Sequence, residues 1–465
     1  MNFVFSAFCI SSYFSVIFEE AKFKKMNKTK EVLITSFALF SMFFGAGNLL
    51  LPPLLGYNSG EDWFWVTIGF MITAVVIPIL GILAHAKLQG TMYDFGKKVS
   101  PFFSLVYCVI VYIISIAIPS PRTASATHEI AIYPTFGTSA LLTSTIYFSL
   151  VLLFVLNRNK ILNFIGKYLT PLIVIMLLLI IGIGLFSSEM ITNASKFEVP
   201  IVSGLLEGYQ TFDAIGAVVV GAVIIISLNF KSHATFEAKK DLIKKSGLIA
   251  GLGLFIIYSG LISVGAFYGS EINIDTSLSS DMQRATLLRG ISIASLGSFG
   301  NTVLSVLITL ACFTTAVAII TGTADYFKGL FKESQNAYTI TGVVACLIGI
   351  LVGQLDFHSI IMIALPVLMF IYPITIVLIL LNVIPEKFAS KTVFRGVVLV
   401  TFIFSIPDVA SFLIPSENLE GIKTIIPFAQ HNLGWVLPAF MTFLLVRSEE
   451  RRVGKECRSR WSPYR

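Results

Sequence analysis

Charged residues are scarce in this chain of 465 residues. Asp, Glu, Lys and Arg together make up 13% of it, whereas hydrophobic residues make up 55%. Soluble domains carry about 25% charged residues, so a water-exposed surface over this length is excluded. Intrinsic disorder is excluded as well, because the apolar content is far too high. Apolar runs recur along the whole chain, and at ~20 residues per crossing they predict an all-α polytopic membrane protein with about 12 transmembrane helices.

Cysteine and histidine are also sparse, with five residues of each. No CxxC pair and no HExxH sequence occurs, so neither a disulfide framework nor a zinc site is indicated. We expect no cofactor, and we find no nucleophile–base pair within the spans, which argues against a membrane-embedded enzyme. The last 19 residues supply +4 of the net charge of +7. The remaining excess is too small to suggest binding of nucleic acid.

Both ends of the chain look foreign to a membrane domain. Residues 1–25 have neither a basic lead nor a cleavage site, and Met26 starts a short basic segment before an apolar run. We therefore expect translation to start at Met26, with 1–25 a non-native or mis-called extension. Residues 447–465 resemble a translated sequencing adapter and are expected to be an artefactual tail, the alternative being a basic cytoplasmic tail. The expected transporter domain is 26–446.

Twelve apolar runs are long enough to be membrane spans. They are 32–55, 63–84, 102–120, 139–156, 169–187, 203–227, 247–268, 300–324, 338–354, 359–383, 393–414 and 425–446. With the Met26 end in the cytoplasm, the loops on that side hold 18 Lys and Arg residues and the opposite loops hold 5. Because cytoplasmic loops are enriched in Lys and Arg, we expect both termini to be cytoplasmic.

The first apolar run contains residues that interrupt a helix. At membrane depth it holds two glycines, an asparagine and a proline pair: Gly45, Gly47, Asn48, Pro52 and Pro53. Glycine costs ~1 kcal/mol within a helix and proline removes a backbone donor, so polar backbone groups are freed where no water can reach them. A bound ion and a polar substrate would satisfy these groups. A proline-kinked helix with close glycine packing is the alternative.

The sixth apolar run is interrupted by polar residues. Glu207, Gln210 and Asp213 enter an otherwise apolar segment. An acidic residue at a helix centre costs at least ~2.5 kcal/mol, so such residues usually face a water-filled cavity or a partner. Glu207 is also compatible with an interfacial position at the helix start. Breaks in spans 1 and 6, in corresponding positions of two five-span halves, indicate an inverted-repeat transporter with its site at the midplane.

Two further segments are ambiguous on their own. Thr314 and Thr315 place adjacent hydroxyls in span 8, where they can supply oxygen ligands to Na⁺. Threonines in membrane helices more often bond to their own carbonyls, however. The segment 118–129 is polar and proline-broken and contains Arg122 and Glu129. It is compatible with a gate element or with a simple loop.

Four segments carry a resemblance to a known family. They are FALFSMFFGAGNLLLPPLLG in span 1, IPSPRTASATHE after span 3, LLEGYQTFDAIGA in span 6 and CFTTAVAIITGTADYF in span 8. From about residue 30 to 446 the chain resembles the bacterial branched-chain amino acid:cation symporters, also called system II carriers. The resemblance implies a leucine-transporter-type fold: repeat 1 at about 32–187, repeat 2 at about 203–383 and extra helices at about 393–446. IPSPRTA carries an extra Ser-Pro relative to the expected IPRTA, which could perturb the outer gate.

The resemblance also implies which residues form the site. The substrate would be held by the two helix breaks, at Phe43, Phe44, Gly45, Ala46, Gly47, Asn48, Tyr209, Gln210, Thr211, Phe212, Asp213 and Ala214. Carbonyls of Ser41 and Phe44, with the hydroxyls of Thr314 and Thr315, would bind Na⁺. Arg122, Glu129 and Glu207 are the expected gating residues.

These observations predict a symporter of the bacterial cytoplasmic membrane. It would import L-leucine, L-isoleucine and L-valine by alternating access, coupled to Na⁺ or H⁺, with the lipid bilayer as a further partner. A carrier of another amino acid or of a nucleobase in a related fold is the alternative. A sensor would normally add a soluble output domain, which no loop here is long enough to form. A channel would lack the paired breaks.

Overall fold

A computed structural model describes residues 28–157, 164–188, 190–229, 235–268, 271–272, 274–275, 277–412 and 419–460. These residues form helices joined by turns, and no strand occurs among them. The first half contains α1 (28–43), α2 (Ala46–Ser59), α3 (Trp63–Met71), α4 (Ile77–Leu88), α5 (Tyr93–Gly96), α6 (Pro101–Ala117), α7 (Pro119–Ala126), α8 (Tyr133–Phe136), α9 (Ala140–Leu156) and α10 (Thr170–Ser187).

The second half of the chain continues the same architecture. It contains α11 (Pro200–Tyr209), α12 (Asp213–Asn229), α13 (Phe236–Phe267), α14 (Ser280–Leu296), α15 (Gly300–Leu330), α16 (Gln335–Val352), α17 (Phe357–Val383), α18 (Lys391–Ala410), α19 (Glu420–Ile425) and α20 (Val436–Arg460). Wider helical turns join α3 to α4, join α7 to α8 and precede α10.

Local capping explains where many of these helices begin. The side chains of Ser, Thr or Asp accept a hydrogen bond from the amide three residues later at the starts of seven helices: Ser100, Ser139, Thr235, Ser279, Ser334, Asp356 and Ser390. Each cap satisfies one of the amides that a helix start leaves without an intrahelical partner. Polar loop residues therefore fix the ends of apolar spans.

The described helices are long and apolar enough for a polytopic membrane protein. Among the described residues, eight uninterrupted helical segments meet the requirement for a membrane crossing, and the bent pair α11–α12 adds a ninth if it is one span. One of these segments, Ala46–Leu88, has 43 residues, which is twice the length that one crossing needs. Every predicted apolar run overlaps one of the helices. The number of twelve crossings stays a prediction.

The segment after span 3 is a helix, so the loop interpretation is wrong. Pro119 and Pro121 lie in the first turn of α7, and Arg122 behind them is buried. Proline is tolerated there because the first amides of a helix have no intrahelical acceptor to lose. Proline therefore starts this helix and does not break it.

The last predicted span, 425–446, is corrected at its start. Residues 426–435 form turns, and the helix α20 begins only at Val436. Phe428 and Asn432 adopt left-handed backbone conformations, with φ of +66° and +53°. A continuous helix cannot pass through such residues. The polar residues in this run therefore indicated a turn and not the start of a membrane span.

Glycines allow two helix pairs to approach closely near the breaks. Gly56 of α2 and Gly265 of α13 each lie against a backbone carbonyl of the opposite helix. Gly69 of α3 and Gly204 of α11 make the same reciprocal contact. Small residues let helix backbones meet, which is how membrane helices gain packing energy in lipid. One helix of each broken span, α2 or α11, is thus held closely against a neighbouring helix.

Candidate functional site

Span 1 is broken at Phe44 and Gly45. Helix α1 ends at residue 43, and α2 begins at Ala46. Gly45 has an extended backbone, and its amide donates to Asn48 Oδ1 at 3.2 Å. Pro52 and Pro53 lie inside α2. The interruption is therefore a true break at the glycine and is not a kink at the prolines.

Span 6 is broken over Gln210, Thr211 and Phe212. The axes of α11 and α12 differ by 41° across this break. Phe212 has a φ of +64°, which is unusual for an aromatic residue and interrupts the helix. The Asp213 amide donates to Thr211 Oγ1 at 3.3 Å, which caps the start of α12. Both interruptions expected from the sequence are present in the backbone.

The two breaks are joined directly by buried polar side chains. Asn48 Nδ2 donates to Asp213 Oδ2 at 2.6 Å and to the Tyr258 hydroxyl at 2.5 Å. The Tyr258 hydroxyl in turn donates to Asp213 Oδ2 at 3.3 Å. All three residues are buried. The carboxylate of Asp213 therefore has donors on two helices and need not pair with a cation to be satisfied.

A small cavity of about 40 Å³ lies between the breaks. Eight of the predicted substrate residues line it: Phe43, Gly45, Ala46, Gly47, Asn48, Thr211, Phe212 and Asp213. Arg122 and Thr315 line it too. Its remaining wall was not foreseen: Met42, Ser115, Pro119, Thr123, Ile215, Gly216, Val219, Val220 and Ile319. One water needs about 10–15 Å³ on this measure of cavity volume, so the cavity holds a few waters, and an amino acid can enter only if these walls separate.

Four of the predicted substrate residues lie outside the cavity. Phe44 stacks on the Tyr258 ring, with centroids 5.9 Å apart. Tyr209 packs against Tyr372 at 4.4 Å, and the Ala214 amide donates to the Tyr372 hydroxyl at 3.1 Å. Gln210, the fourth residue, points away towards two arginines, as described below. These residues support the breaks from behind.

An oxygen cluster lies beside the first break, between α1 and α15. Ser41 Oγ donates to Thr314 Oγ1 at 2.9 Å. The Thr314 hydroxyl is 2.9 Å from the Ser41 carbonyl and 3.0 Å from the Ala311 carbonyl, and Thr315 Oγ1 is 3.5 Å from the Ser41 carbonyl. A hydroxyl has one proton, so Thr314 cannot satisfy both carbonyls at once. These oxygens fit a hard cation such as Na⁺.

Charged side chains cross the other side of the span 6 break. Arg122 Nη1 donates to the Gln210 carbonyl at 2.8 Å. Arg284 of α14 donates to Glu207 Oε1 at 2.5 Å and to Gln210 Oε1 at 3.3 Å, and Gln210 Nε2 donates to Glu207 Oε2 at 2.9 Å. Both members of the Arg284–Glu207 ion pair are largely buried. We call Arg122, Glu207, Gln210 and Arg284 the latch.

Glu129 does not reach the cavity. Its carboxylate accepts the Phe357 amide at 2.7 Å at the start of α17, and the Arg122 guanidinium lies 4.4 Å from the centre of the Phe357 ring. Just before this helix, hydrogen bonds from Ser359 hold the pKa of Asp356 below its ordinary value. Glu129 thus anchors α17 beside Arg122.

Besides the unforeseen part of the cavity wall, sequence reasoning missed four residues around the site: Tyr258, Arg284, Ala311 and Tyr372. Arg284 carries a charge close to a membrane span, which was a usable signal. Tyr258 and Tyr372 lie in apolar runs in which tyrosine is common. Ala311 contributes only its carbonyl, which any residue has. Such contributions appear only in three dimensions.

The fold and the paired breaks define a membrane transport protein. The structure resembles a manganese transporter of Eremococcus coleocola, with a TM-score of 0.58, 12% identity and coverage of 90% of this chain and 96% of that chain. It also resembles Mhp1, a nucleobase-cation-symport-1 family transporter (TM-score 0.57, 12% identity, coverage 91% and 93%). At these identities the likeness shows the fold alone, and it confirms the leucine-transporter-type class.

The chain belongs to the branched-chain amino acid transport protein family, whose profile matches residues 28–451. It is 32% identical over 427 residues to the branched-chain amino acid permease BraB of Bacillus subtilis, covering 89% of this chain and 94% of BraB. It is 30% identical over 434 residues to the branched-chain amino acid transport system 2 carrier protein of Pseudomonas aeruginosa, covering 91% and 97%. The protein is therefore a multi-pass membrane transporter and not an enzyme.

Proposed function

We propose that this transporter is a symporter that imports L-leucine, L-isoleucine and L-valine together with Na⁺ by alternating access. The observation that carries the proposal is that two broken helices meet at one buried cavity, with an oxygen cluster beside it. The site residues predicted from the sequence remain part of this proposal. The relatives named for branched-chain amino acids support the substrate class.

The polar groups of the cavity suit a zwitterion. The free amides at the start of α2 form the positive end of a helix, and the Arg122 guanidinium lines the same cavity. Both would stabilise the substrate carboxylate. Asp213 on α12 and the Asn48 side-chain oxygen would accept from the ammonium group. The charges of the substrate would thus exchange water for fixed protein dipoles.

The apolar wall suits an aliphatic side chain. Phe43, Phe212, Ile215, Val219 and Ile319 line the cavity and offer no hydrogen bonds from their side chains. One methylene is worth only ~1–3 kcal/mol in such a pocket, so discrimination among leucine, isoleucine and valine would be modest. One carrier is therefore expected to accept all three.

The oxygen cluster would bind the coupling ion. Na⁺ would replace the hydrogen bonds among Ser41, Ala311, Thr314 and Thr315 and would pull α1 towards α15. Moving one positive charge inward across 100 mV contributes ~2.3 kcal/mol, enough to drive accumulation of the amino acid. Closing the α1–α15 contact at the edge of the substrate cavity would let ion and substrate improve each other's binding.

Alternating access needs one closed and one open side. The latch closes one side of the span 6 break. A vestibule of about 980 Å³ lies on the other side, and Ala222, Ile226, Gly322 and Asp325 line it. These residues continue α12 and α15 beyond the cavity. With the predicted orientation, the vestibule faces the cytoplasm.

Uptake of labelled leucine into proteoliposomes tests the proposal. An inward Na⁺ gradient should drive accumulation that a pH gradient alone does not, and unlabelled isoleucine and valine should compete whereas uracil should not. Accumulation driven only by a pH gradient would contradict Na⁺ coupling. Competition by uracil with no competition by isoleucine or valine would contradict the substrate assignment.

A further inference from the structure

Asp408 is a buried acidic residue that the proposed site does not use. It lies near the end of α18, a helix with the length and apolarity of a membrane span, and it is only 1% exposed. Among the residues that the structure describes, no side chain forms a hydrogen bond with either carboxylate oxygen, and the backbone amide of Gly434 lies beside them. An ionised carboxylate at membrane depth costs at least ~2.5 kcal/mol, so a neutral, protonated carboxyl fits this environment better.

Several titratable and polar groups surround Asp408. Tyr209 of α11 and Lys423 of α19 lie within electrostatic range of it, and the backbone of Gly434 is beside it. Trp435 is next to Tyr209. On α20, the residues from 436 to 446 carry no charge. On α17, the titratable residue that packs against Tyr209 is Tyr372.

The chemistry of this junction suits a proton better than a metal ion. A metal ion needs several oxygen ligands, and among the described residues no three His, Cys, Asp or Glu side chains come together to hold one. A proton needs one carboxyl. Asp408 is buried near Lys423, so a proton and the Lys423 ammonium group compete for the same carboxylate. Such a balance makes the carboxyl responsive to pH.

The junction is connected to the span 6 break. Tyr209 is the last residue of α11, and its ring lies 4.4 Å from that of Tyr372. The Tyr372 hydroxyl accepts the Ala214 amide in the first turn of α12. Asp408 therefore lies within electrostatic range of Tyr209, and contacts run from Tyr209 through Tyr372 to both sides of the break. A charge appearing on Asp408 would have to draw in Lys423 or water, which would disturb the packing of Tyr209.

We propose that Asp408 is a proton-binding site, separate from the cavity and the oxygen cluster, whose protonation is coupled to substrate binding at the span 6 break through Tyr209. The coupling rests on the proposed function, because substrate binding is its readout. The existence of a proton site at Asp408 does not rest on the proposed function.

Equilibrium binding of labelled leucine to the full chain in nanodiscs, at fixed Na⁺ and varied pH, tests the coupling. In the wild type the apparent Kd should change about fivefold or more between mildly acidic and mildly alkaline pH, as is usual for linked sites. Asp408→Asn, which is neutral at every pH, should make the Kd independent of pH. Glu386→Gln is the control, because Glu386 is an exposed carboxylate beyond the opposite end of α18. An unchanged pH dependence in Asp408→Asn would overturn the coupling.

Infrared difference spectroscopy between the same pH values tests the proton site independently. The wild type should show the carbonyl stretch of a protonated carboxyl in an apolar environment, and this band should vanish in Asp408→Asn. Asp408→Glu, which keeps a carboxyl if Asp408→Asn does not fold, should shift the band. A band unaffected by either variant would overturn the proton site. If no variant and not even the wild type binds leucine, the proposed function fails, while the infrared band still decides the proton site.

Discussion

Ser41, Ala311, Thr314 and Thr315 form the residue-scale feature on which ion coupling depends. Their oxygens lie within hydrogen-bonding distance of one another on two different helices, α1 and α15. Threonines in membrane helices often bond only to their own helix, but Thr314 and Thr315 also reach the Ser41 carbonyl. The contact between helices favours a shared ligand over simple back-bonding.

Replacing Thr314 and Thr315 together by valine should weaken the dependence of uptake on Na⁺. Valine keeps the shape of threonine but removes the oxygen, so two ion ligands are lost. We expect the Na⁺ concentration for half-maximal uptake to rise at least about tenfold, because each lost oxygen ligand should contribute about as much as a hydrogen bond to a charged group, ~1.5–3 kcal/mol. Measuring the uptake of labelled leucine at a series of Na⁺ concentrations gives this half-maximal concentration.

Thr309→Val is the matched control for this experiment. Thr309 lies on the same helix, and its hydroxyl bonds to the Ser305 carbonyl one turn earlier, away from α1. Its Na⁺ dependence should equal that of the wild type. If the double valine variant inserts normally and also keeps the wild-type Na⁺ dependence, the ion does not bind at this cluster.

How well the sequence predicted the site depends on the kind of residue. Asn48 and Asp213 were found because polar side chains are costly in lipid, and they do face each other. Gln210 was found for the same reason, yet it belongs to the latch and does not line the cavity. Composition shows that a polar group needs a partner, but it does not show which partner. Apolar wall residues such as Val219 carry no signal at all.

At the scale of elements, the effect of a glycine or a proline depends on where it lies in the helix. The break at Gly45 was predicted, and Pro52 and Pro53 were assigned to the same interruption, although they lie inside α2. At Pro119 the proline instead starts a helix. A proline clashes with the preceding turn only where such a turn exists, and this depends on the helix start. Helix starts are set by capping and packing, which the hydrophobic pattern does not contain.

Replacing Gly204 by alanine should destabilise the contact between α11 and α3. A Cβ at this position would overlap the Val66 carbonyl, so the two backbones would have to separate. We expect a loss of roughly 1–3 kcal/mol in the free energy of unfolding, as for overpacked interiors. Thermal unfolding of the purified protein in detergent would show it as a lower Tm.

Gly182→Ala provides the control within the same protein. Gly182 lies inside α10, and a Cβ there would meet no atom within 4 Å. Because alanine is the better helix former by ~1 kcal/mol, this variant should be neutral or slightly more stable. Equal changes in Tm for the two variants would mean that the close approach of α11 and α3 does not contribute to stability.

At the scale of the whole molecule, the latch and the vestibule lie on opposite sides of the same cavity. Helices α12 and α15 line the cavity with Val219 and Ile319, and they line the vestibule with Ile226 and Gly322. Charged side chains thus cross one side of the cavity, and a larger space of about 980 Å³ lies on the other. A channel would be open on both sides, whereas a transporter that alternates would exchange the two.

Labelling of single cysteines with a membrane-impermeant maleimide tests this asymmetry. Cys108, Cys312 and Cys346 are buried, and a background without native cysteines removes any contribution from them. In this background Ile226→Cys should react from the side that the vestibule faces. Glu386→Cys, on an exposed loop predicted to be cytoplasmic, and Glu198→Cys, on an exposed loop predicted to be external, identify the two sides.

Saturating leucine and Na⁺ should change the rate of labelling at Ile226→Cys and leave the rates at the two loop positions unchanged, because only the vestibule alters as the walls close around the substrate. Equal reaction of Ile226→Cys from both sides would indicate an open pore, and a rate insensitive to leucine and Na⁺ would contradict alternating access through this vestibule.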